Sequence, residues 1–241
     1  MKLTFLGTRG NTEQKNERHR RHSSLLVSYR NKQVMVDCGE DWLEKVFDIN
    51  PHAIVLTHAH PDHAWGLKNG APSRVYATAE TLGLIGNYPV DDFREIRQRE
   101  PEQIENITFE AFGVEHSTRA PAVGYRITAG DVNIFYAPDL VYIYHREEAL
   151  RNTKLYIGDA ATISRSFVRK RNGNLIGHTP IRTQLTWCQK EDVPKAIFTH
   201  CGSEIVTGDE RSLNAKIREM AEERDVDFEI AHDGMQIILR G

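Results

Sequence analysis

The sequence predicts an α/β protein, a sandwich of two sheets with helices set among the strands, and three observations predict it. Apolar runs of strand length recur in both halves of the chain, helical patterns separate them, and several runs end on a residue that can bind metal or carry a proton. At 241 residues, with 39% hydrophobic and 27% charged side chains, the chain is long enough to bury a large core and has an ordinary globular composition. No repeat, low-complexity tract or Pro/Gly/Ser linker divides it, so residues 1–241 are expected to form a single domain. The net charge of −3 gives no overall attraction to nucleic acid or membrane, and any polyanion must be met by a local patch.

In chain order, the first half offers strands at Leu3 to Leu6, Ser24 to Ser28, Gln33 to Val36, Ala53 to Leu56 and Val75 to Ala77, with helices over 40–48, 62–69 and 78–86. The second half offers strands at 106–115, 122–128, 132–137, 154–158, 195–199, 227–231 and 235–240, and helices over 144–151, 179–190 and 209–224. Trp42 and Trp65 fall on two of these helices and are expected in the core. Six strands lead into His58, His116, Asp139, Asp159, His200 and His232. Strand ends are where α/β proteins assemble sites, because the strands hold the converging loops rigid. The shared chemistry of the six points to one pocket, to which not every member need belong.

The densest chemistry is His58-Ala59-His60-Pro61-Asp62-His63, directly after the apolar run Ala53 to Leu56. In an extended stretch His58 and His60 project to the same side, so their imidazoles can converge on one ion. Asp62 and His63, past a proline that fixes the chain direction, can reach a second ion from the start of the next helix. Imidazole with carboxylate suits zinc first, with manganese or iron as alternatives, whereas calcium and magnesium sites are built mainly from oxygen. Scattered surface histidines would be the bland alternative, but such spacing rarely arises by chance in a chain with 11 histidines.

This series resembles the metallo-β-lactamase superfamily over nearly the whole chain. Asp37, after Val34-Met35-Val36, is similar to the aspartate that braces that superfamily's metal loop, and His58, His60, Asp62 and His63 match its HxHxDH element. His116, Asp139 and His200 follow in the order of the remaining ligands. The resemblance implies a four-layer αββα sandwich of two mixed β-sheets flanked by helices. It also implies two divalent metal ions, one held by His58, His60 and His116 and the other by Asp62, His63 and His200, with Asp139 bridging them. Two neighbouring cations need an anionic bridge, which a carboxylate and a hydroxide supply. Asp37-Cys38-Gly39-Glu40, and Gly177-His178-Thr179-Pro180 followed by Thr199-His200, resemble ribonuclease Z and the phosphonate-pathway cyclic phosphodiesterase. Ribonuclease Z carries a long tRNA-gripping arm between the positions of His116 and Asp139, where this chain has only 22 residues. The expected substrate is accordingly a small cyclic or linear phosphodiester or a short nucleic acid rather than a tRNA precursor.

Asp62 and Asp139 are expected to orient the nucleophile, and His178 to bind a phosphoryl oxygen or protonate the leaving alkoxide. Thr179 reads as a helix N-cap and Pro180 as the first helical residue, which sets His178 at a helix mouth suited to phosphate. The helix dipole there favours neutral imidazole, so the substrate's charge would have to keep His178 protonated. Asp159 could orient it, line the pocket or be a structural turn aspartate. The only dense basic run, Lys15 to Ser24 with Arg18, Arg20 and Arg21, reads either as solvated surface or as a loop over the site that grips phosphates. His232 reads as an auxiliary proton donor or, more simply, as a turn histidine bonded to Asp233. His19, His22, His52 and His145 are assigned no role. Cys38, Cys188 and Cys201 are odd in number and widely spaced, which argues against disulfides, and Cys201 reads as a small buried thiol rather than a ligand. No apolar run reaches the roughly 18 residues of a membrane span, and the expectation is a cytosolic protein, with homodimerisation suggested by the resemblance. Two other functions stay open: hydrolysis of a thioester, lactone or lactam, and a non-hydrolytic member that binds a metabolite or partner, or uses iron for redox chemistry.

Overall fold

The computed structural model describes residues 1–240. The first sheet contains β1 (Lys2–Gly7), β2 (Ser24–Tyr29), β3 (Lys32–Val36), β4 (Ala53–Val55), β5 (Arg74–Ala77) and β6 (Phe93–Glu95). The second contains β7 (Glu102–Ile104), β8 (Ile107–Glu115), β9 (Ala122–Ala129), β10 (Val132–Tyr136), β11 (Tyr142–Ile143) and β12 (Leu155–Asp159). A separate hairpin pairs β13 (Arg169–Arg171) with β14 (Asn174–Ile176); β15 (Lys195–Thr199) and β16 (Asp227–Ile230) complete the second sheet, and β17 (Gln236–Ile238) returns to the first beside β1. Both sheets are mixed and share a plan. An antiparallel meander, β1-β2-β3 or β8-β9-β10, passes into parallel strands, β4-β5-β6 or β12-β15-β16.

Alternation along the strands builds the layers. Val34, Val36, Ala53, Val55, Ile134, Tyr136, Leu155, Ile157 and Ile197 point between the sheets, while their neighbours Met35, Ile54, Phe135, Tyr156 and Phe198 point outward beneath helices. Strands buried on both faces read as continuous apolar runs, which is why Ala53 to Leu56 and Leu155 to Ile157 lack polar positions. Each large apolar side chain so buried is worth about 1.5–3 kcal/mol. Helices α1 (Val46–Ile49), α2 (Pro61–Ala64) and α3 (Ala79–Ile85) lie in the first half of the chain. Helices α4 (Arg146–Leu150), α5 (Ile181–Lys190), α6 (Ser203–Thr207) and α7 (Glu210–Glu222) lie in the second half. The two sheets and their outer apolar layers reproduce the four-layer αββα sandwich. Among the described residues no helix is long and apolar enough to cross a membrane.

Three expectations are corrected. The helix expected over 62–69 stops at Ala64 and continues only as a 3-10 turn, Trp65–Leu67, because the Gly66 N–H bonds the Cys38 carbonyl instead of continuing the ladder. Trp65 is therefore half-buried under the Lys68 ammonium rather than in the core, whereas Trp42 is buried as expected. The helix expected over 40–48 is a 3-10 turn, Glu40–Trp42, and α1, separated by Glu44 at φ +65°. Short β6, β7, β11 and the β13–β14 hairpin, with α6, lie outside the expected elements.

Candidate active site

The site lies where β3, β4, β10, β12 and β15 all end at their C-terminal edge, the edge at which parallel sheets present loops. Asp37 follows β3 at φ +64°, and its carboxylate accepts hydrogen bonds from the Thr57 N–H (2.8 Å) and the Thr57 hydroxyl (2.9 Å). Because that hydroxyl donates to Asp37, its oxygen accepts from His58 Nδ1 at 3.0 Å, which leaves the His58 Nε2 lone pair facing the site. Asp37 Oδ2 also accepts from His63 Nδ1 at 2.9 Å, so His63 likewise presents Nε2. His116 Nδ1 lies 2.8 Å from Asp139 Oδ1 and 3.3 Å from the Gly177 carbonyl, which again frees Nε2. One buried carboxylate thus sets two ring tautomers at once.

The presented atoms form two groups. His60 Nδ1 lies 3.0 Å from both His58 Nε2 and His116 Nε2, close to the roughly 3.3 Å between nitrogens that bind one tetrahedral ion at 2.0–2.1 Å. His200 Nε2 lies 3.1 Å and His63 Nε2 3.4 Å from Asp62 Oδ2. Asp139 Oδ2 sits between the groups, 3.8 Å from His58 Nε2, 3.8 Å from His63 Nε2 and 3.6 Å from His200 Nε2. His58, His60, His116 and Asp139 form one cluster able to hold a metal ion, and Asp62, His63 and His200 another. The donor set fits metal: His63 Nε2 is buried without a hydrogen-bond partner, and such an orphan is costly unless a cation answers it.

Protonation follows from burial and carboxylates. Burial holds His58 well below the usual imidazole range and His60 down to about 4, the neutral form a metal requires. Burial opposes charge on Asp62, but His63 and His200 outweigh it and hold the carboxyl well below its usual range. His63 is likewise penalised by burial yet held well above the usual range by Asp62 and Asp37, which call for positive charge at that ring.

His178 differs from the expectation. Helix α5 starts at Ile181 with Pro180 as its N-cap residue and no side-chain cap, and the Thr179 N–H instead bonds the Leu140 carbonyl. His178 Nδ1 lies 3.0 Å from Asp139 Oδ1 and 2.9 Å from Asp159 Oδ2. Burial lowers its proton affinity, but the two carboxylates overcome it and push the imidazole up to about 11. Carboxylates of the fold, and not only a substrate anion, thus favour charge on this ring. Asp159 is in turn fixed by Leu140 N–H (3.3 Å), Ala161 N–H (2.7 Å) and its own N–H on Gln184 Oε1 (2.9 Å), while Gln184 Nε2 donates to its carbonyl at 2.7 Å. Asp159 thus meets the His178 ring with one carboxylate oxygen and closes the turn to Ala161 with the other.

A cavity of about 300 Å³ opens on the site, lined by His60, Asp62, His116, Asp139, His178 and His200 together with Gly10, Asn11, Thr12, Ala161, Phe167, Gly202 and Ser203. None of Arg18 to Arg21 reaches it, and the basic run's place is taken by the Gly10–Thr12 turn ahead of it. That turn is tied to the His200 loop by Gly10 N–H to Cys201 O (3.0 Å) and Cys201 N–H to Thr8 O (2.7 Å). His232 lies apart from this cavity, its Nδ1 3.1 Å from the Asp233 carbonyl, and lines a different cavity of about 630 Å³ with Arg18. Cys201 packs in the outer core of the second sheet, where burial raises its thiol above the usual range, so it is no thiolate. Sequence reasoning missed Asn11, Thr12, Phe167 and Ser203, which carry no motif signal. Gly39 has a packing reason: a Cβ there would sit 2.1 Å from the Asp62 carbonyl oxygen, so only glycine lets the metal loop approach the turn after β3.

Known proteins share this architecture. Over 142 residues the chain is 30% identical to ribonuclease Z of Methanopyrus kandleri, an alignment covering 52% of this chain and 49% of the relative. The chain spans about half the length of the curated relatives it matches. A metallo-β-lactamase fold protein of Bacillus subtilis, YhfI, superposes with a TM-score of 0.76 at 17% identity, covering 98% of each chain. A diphosphatase of the PhnP family superposes with a TM-score of 0.70 at 18% identity, covering 99% of this chain and 98% of that one. The resemblance read from His58 to His63 and from Gly177-His178 onward is thereby borne out. The family model of the beta-lactamase superfamily domain matches residues 32–201, and the chain belongs to that superfamily.

Proposed function

We propose that the protein is a dinuclear metal-dependent hydrolase of phosphodiester bonds. His58, His60 and His116 would hold one divalent ion and Asp62, His63 and His200 the other, with Asp139 placed between the two groups, and zinc would suit the imidazole-rich donor set. When bound, two such ions lower the pKa of a shared water and offset charge on the phosphoryl oxygens. Asp62 and Asp139 orient the attacking oxygen, and Asp37 with Thr57 keeps His58 and His63 in the tautomer that ligates. The observation that carries the choice of bond is His178, which lines the cavity with Nδ1 3.0 Å from Asp139 and hydrogen-bonded to Asp159 at 2.9 Å. Placed beside the metals, it can neutralise a phosphoryl oxygen and then pass its proton to the departing alkoxide. A thioester hydrolase, whose thiolate departs without a proton, has less need of a donor there.

The ribonuclease Z relatives and the PhnP-family neighbour support this reading. Metal-loaded protein is expected to contain two equivalents of ion and to hydrolyse bis(p-nitrophenyl) phosphate with higher kcat/KM than matched acyl esters or thioesters, activity that a chelator removes. Acyl hydrolysis equal to or better than diester hydrolysis would sink the phosphodiester assignment.

A further inference from the structure

One exposed element takes no part in the chemistry above. The segment between Asp159 and His178 carries Arg165, Arg169, Lys170 and Arg171 and no acidic residue. Its β13–β14 hairpin turns at Asn172-Gly173, with φ of 51° and 89°, the positive values of a tight two-residue hairpin turn. Residues 169–175 are all exposed, and none of the four cations forms an ion pair among the described residues. On a chain of net charge −3 these positive charges stand uncompensated.

The hairpin is placed by the site itself. Strands of three residues do not hold alone. At its base the Phe167 N–H donates to the His178 carbonyl (3.2 Å) and the Gly177 N–H to the His116 carbonyl (3.0 Å). Gly177 has φ +110°, and a Cβ there would lie 2.1 Å from the Phe167 carbonyl oxygen, so the closure requires glycine. Phe167 is 41% exposed, lines the 300 Å³ cavity, and has the Arg165 guanidinium 5.6 Å from its ring centroid. From those anchors the strands carry their cations about 10 Å outward. A neighbouring cavity, reached past His116 and lined by Leu175, Thr118 and Glu115, is less suited to phosphate because of the Glu115 carboxylate.

We propose that Phe167 and this hairpin bind single-stranded nucleic acid. A base beside the scissile phosphate stacks on Phe167, and the phosphates that follow run along Arg169, Lys170 and Arg171. Aromatic stacking tolerates any base, and mobile cations track a backbone without reading sequence, so this surface selects an oligonucleotide over a small diester. The inference rests on the phosphodiester reading of the site.

The test measures binding with hydrolysis switched off. Full-length protein in chelator is titrated into labelled single strands of RNA and of DNA, about 12 nucleotides long, across a salt series. Binding of either strand supports the proposal, the tighter one naming the sugar. Three phosphate contacts contribute about −2 to the slope of log K against log salt, and Arg169→Gln/Lys170→Gln/Arg171→Gln is expected to lose that contribution. Arg169→Lys/Arg171→Lys keeps it, and Phe167→Ala loses about tenfold in affinity at constant slope. A triple variant with wild-type affinity and slope overturns the proposal, as does wild-type protein that binds phosphatidylserine vesicles but neither strand. Because no bond is cut, failure here is separable from failure to hydrolyse bis(p-nitrophenyl) phosphate.

Discussion

Two cation-rich segments flank the site, and they are built in opposite ways. In the segment from Lys15 to Arg21, Lys15 pairs with Asp41 (3.3 Å) and Arg18 with Glu210 (3.2 Å), and the Arg21 guanidinium lies 4.9 Å from the Trp42 ring. The Arg20 and Arg21 N–H groups donate to Asp233 Oδ2 at 2.9 and 3.1 Å, and His19 and His22 are buried. Just ahead of it, buried Arg9 pairs with Asp41 and bonds the Thr12 carbonyl, fixing the turn that lines the cavity. In the segment from Arg165 to Arg171 no cation has an acidic partner among the described residues. Each segment carries four Lys or Arg in seven residues, yet the first is scaffold and the second is free. Charge density alone does not mark a binding surface; the partners do.

The comparison breaks if the two segments respond alike to mutation. The largest effect is expected from Asp41→Ala, which strands the buried Arg9 charge: about 3–5 kcal/mol lost in denaturant unfolding. Acid comes next. Burial first, and nearby Arg18 or Arg9 second, lowers His19 and His22 to about 4, so the unfolded chain binds more protons than the folded one between pH 6.5 and 4. Stability therefore falls as pH drops through that window, by about 3 kcal/mol for each ring at its lower end. His19→Gln and His22→Gln should flatten the difference curve, and an unchanged slope would contradict the burial account. Asp233→Ala removes acceptors for Thr8 Oγ1 (2.8 Å), Arg20 N–H and Arg21 N–H and should cost about 1–3 kcal/mol. Smallest is the Arg169→Gln/Lys170→Gln/Arg171→Gln variant, expected within about 0.5 kcal/mol of wild type because nothing folded depends on it.

Much of this was legible in the sequence, for physical reasons that also explain the gaps. Alternation is fixed by strand geometry, so Val34 to Val36 and Ala53 to Leu56 announce their sheets, and metal ligands must crowd together, so His58 to His63 announce the site. Tertiary bonds override local propensity at Gly66, whose N–H prefers the Cys38 carbonyl to the helix ladder, and at Thr179, which bonds Leu140 instead of capping. The state of His178 depends on Asp139 and Asp159, residues 39 and 19 positions away, and no local helix argument could supply it. The hairpin had a visible signal in Asn172-Gly173, but three-residue strands are too short for periodicity to mark.

The central claim is that the site cleaves a phosphodiester with His178 protonating the leaving oxygen. The direct measurement compares kcat/KM of metal-loaded wild-type and His178→Ala protein on two diesters that share one ester group, one releasing p-nitrophenolate and the other an alkoxide. The account predicts a loss of about 10²–10⁴ for the alkoxide diester and a much smaller one for the aryl diester, whose leaving group departs without a proton. Equal losses on both would contradict it.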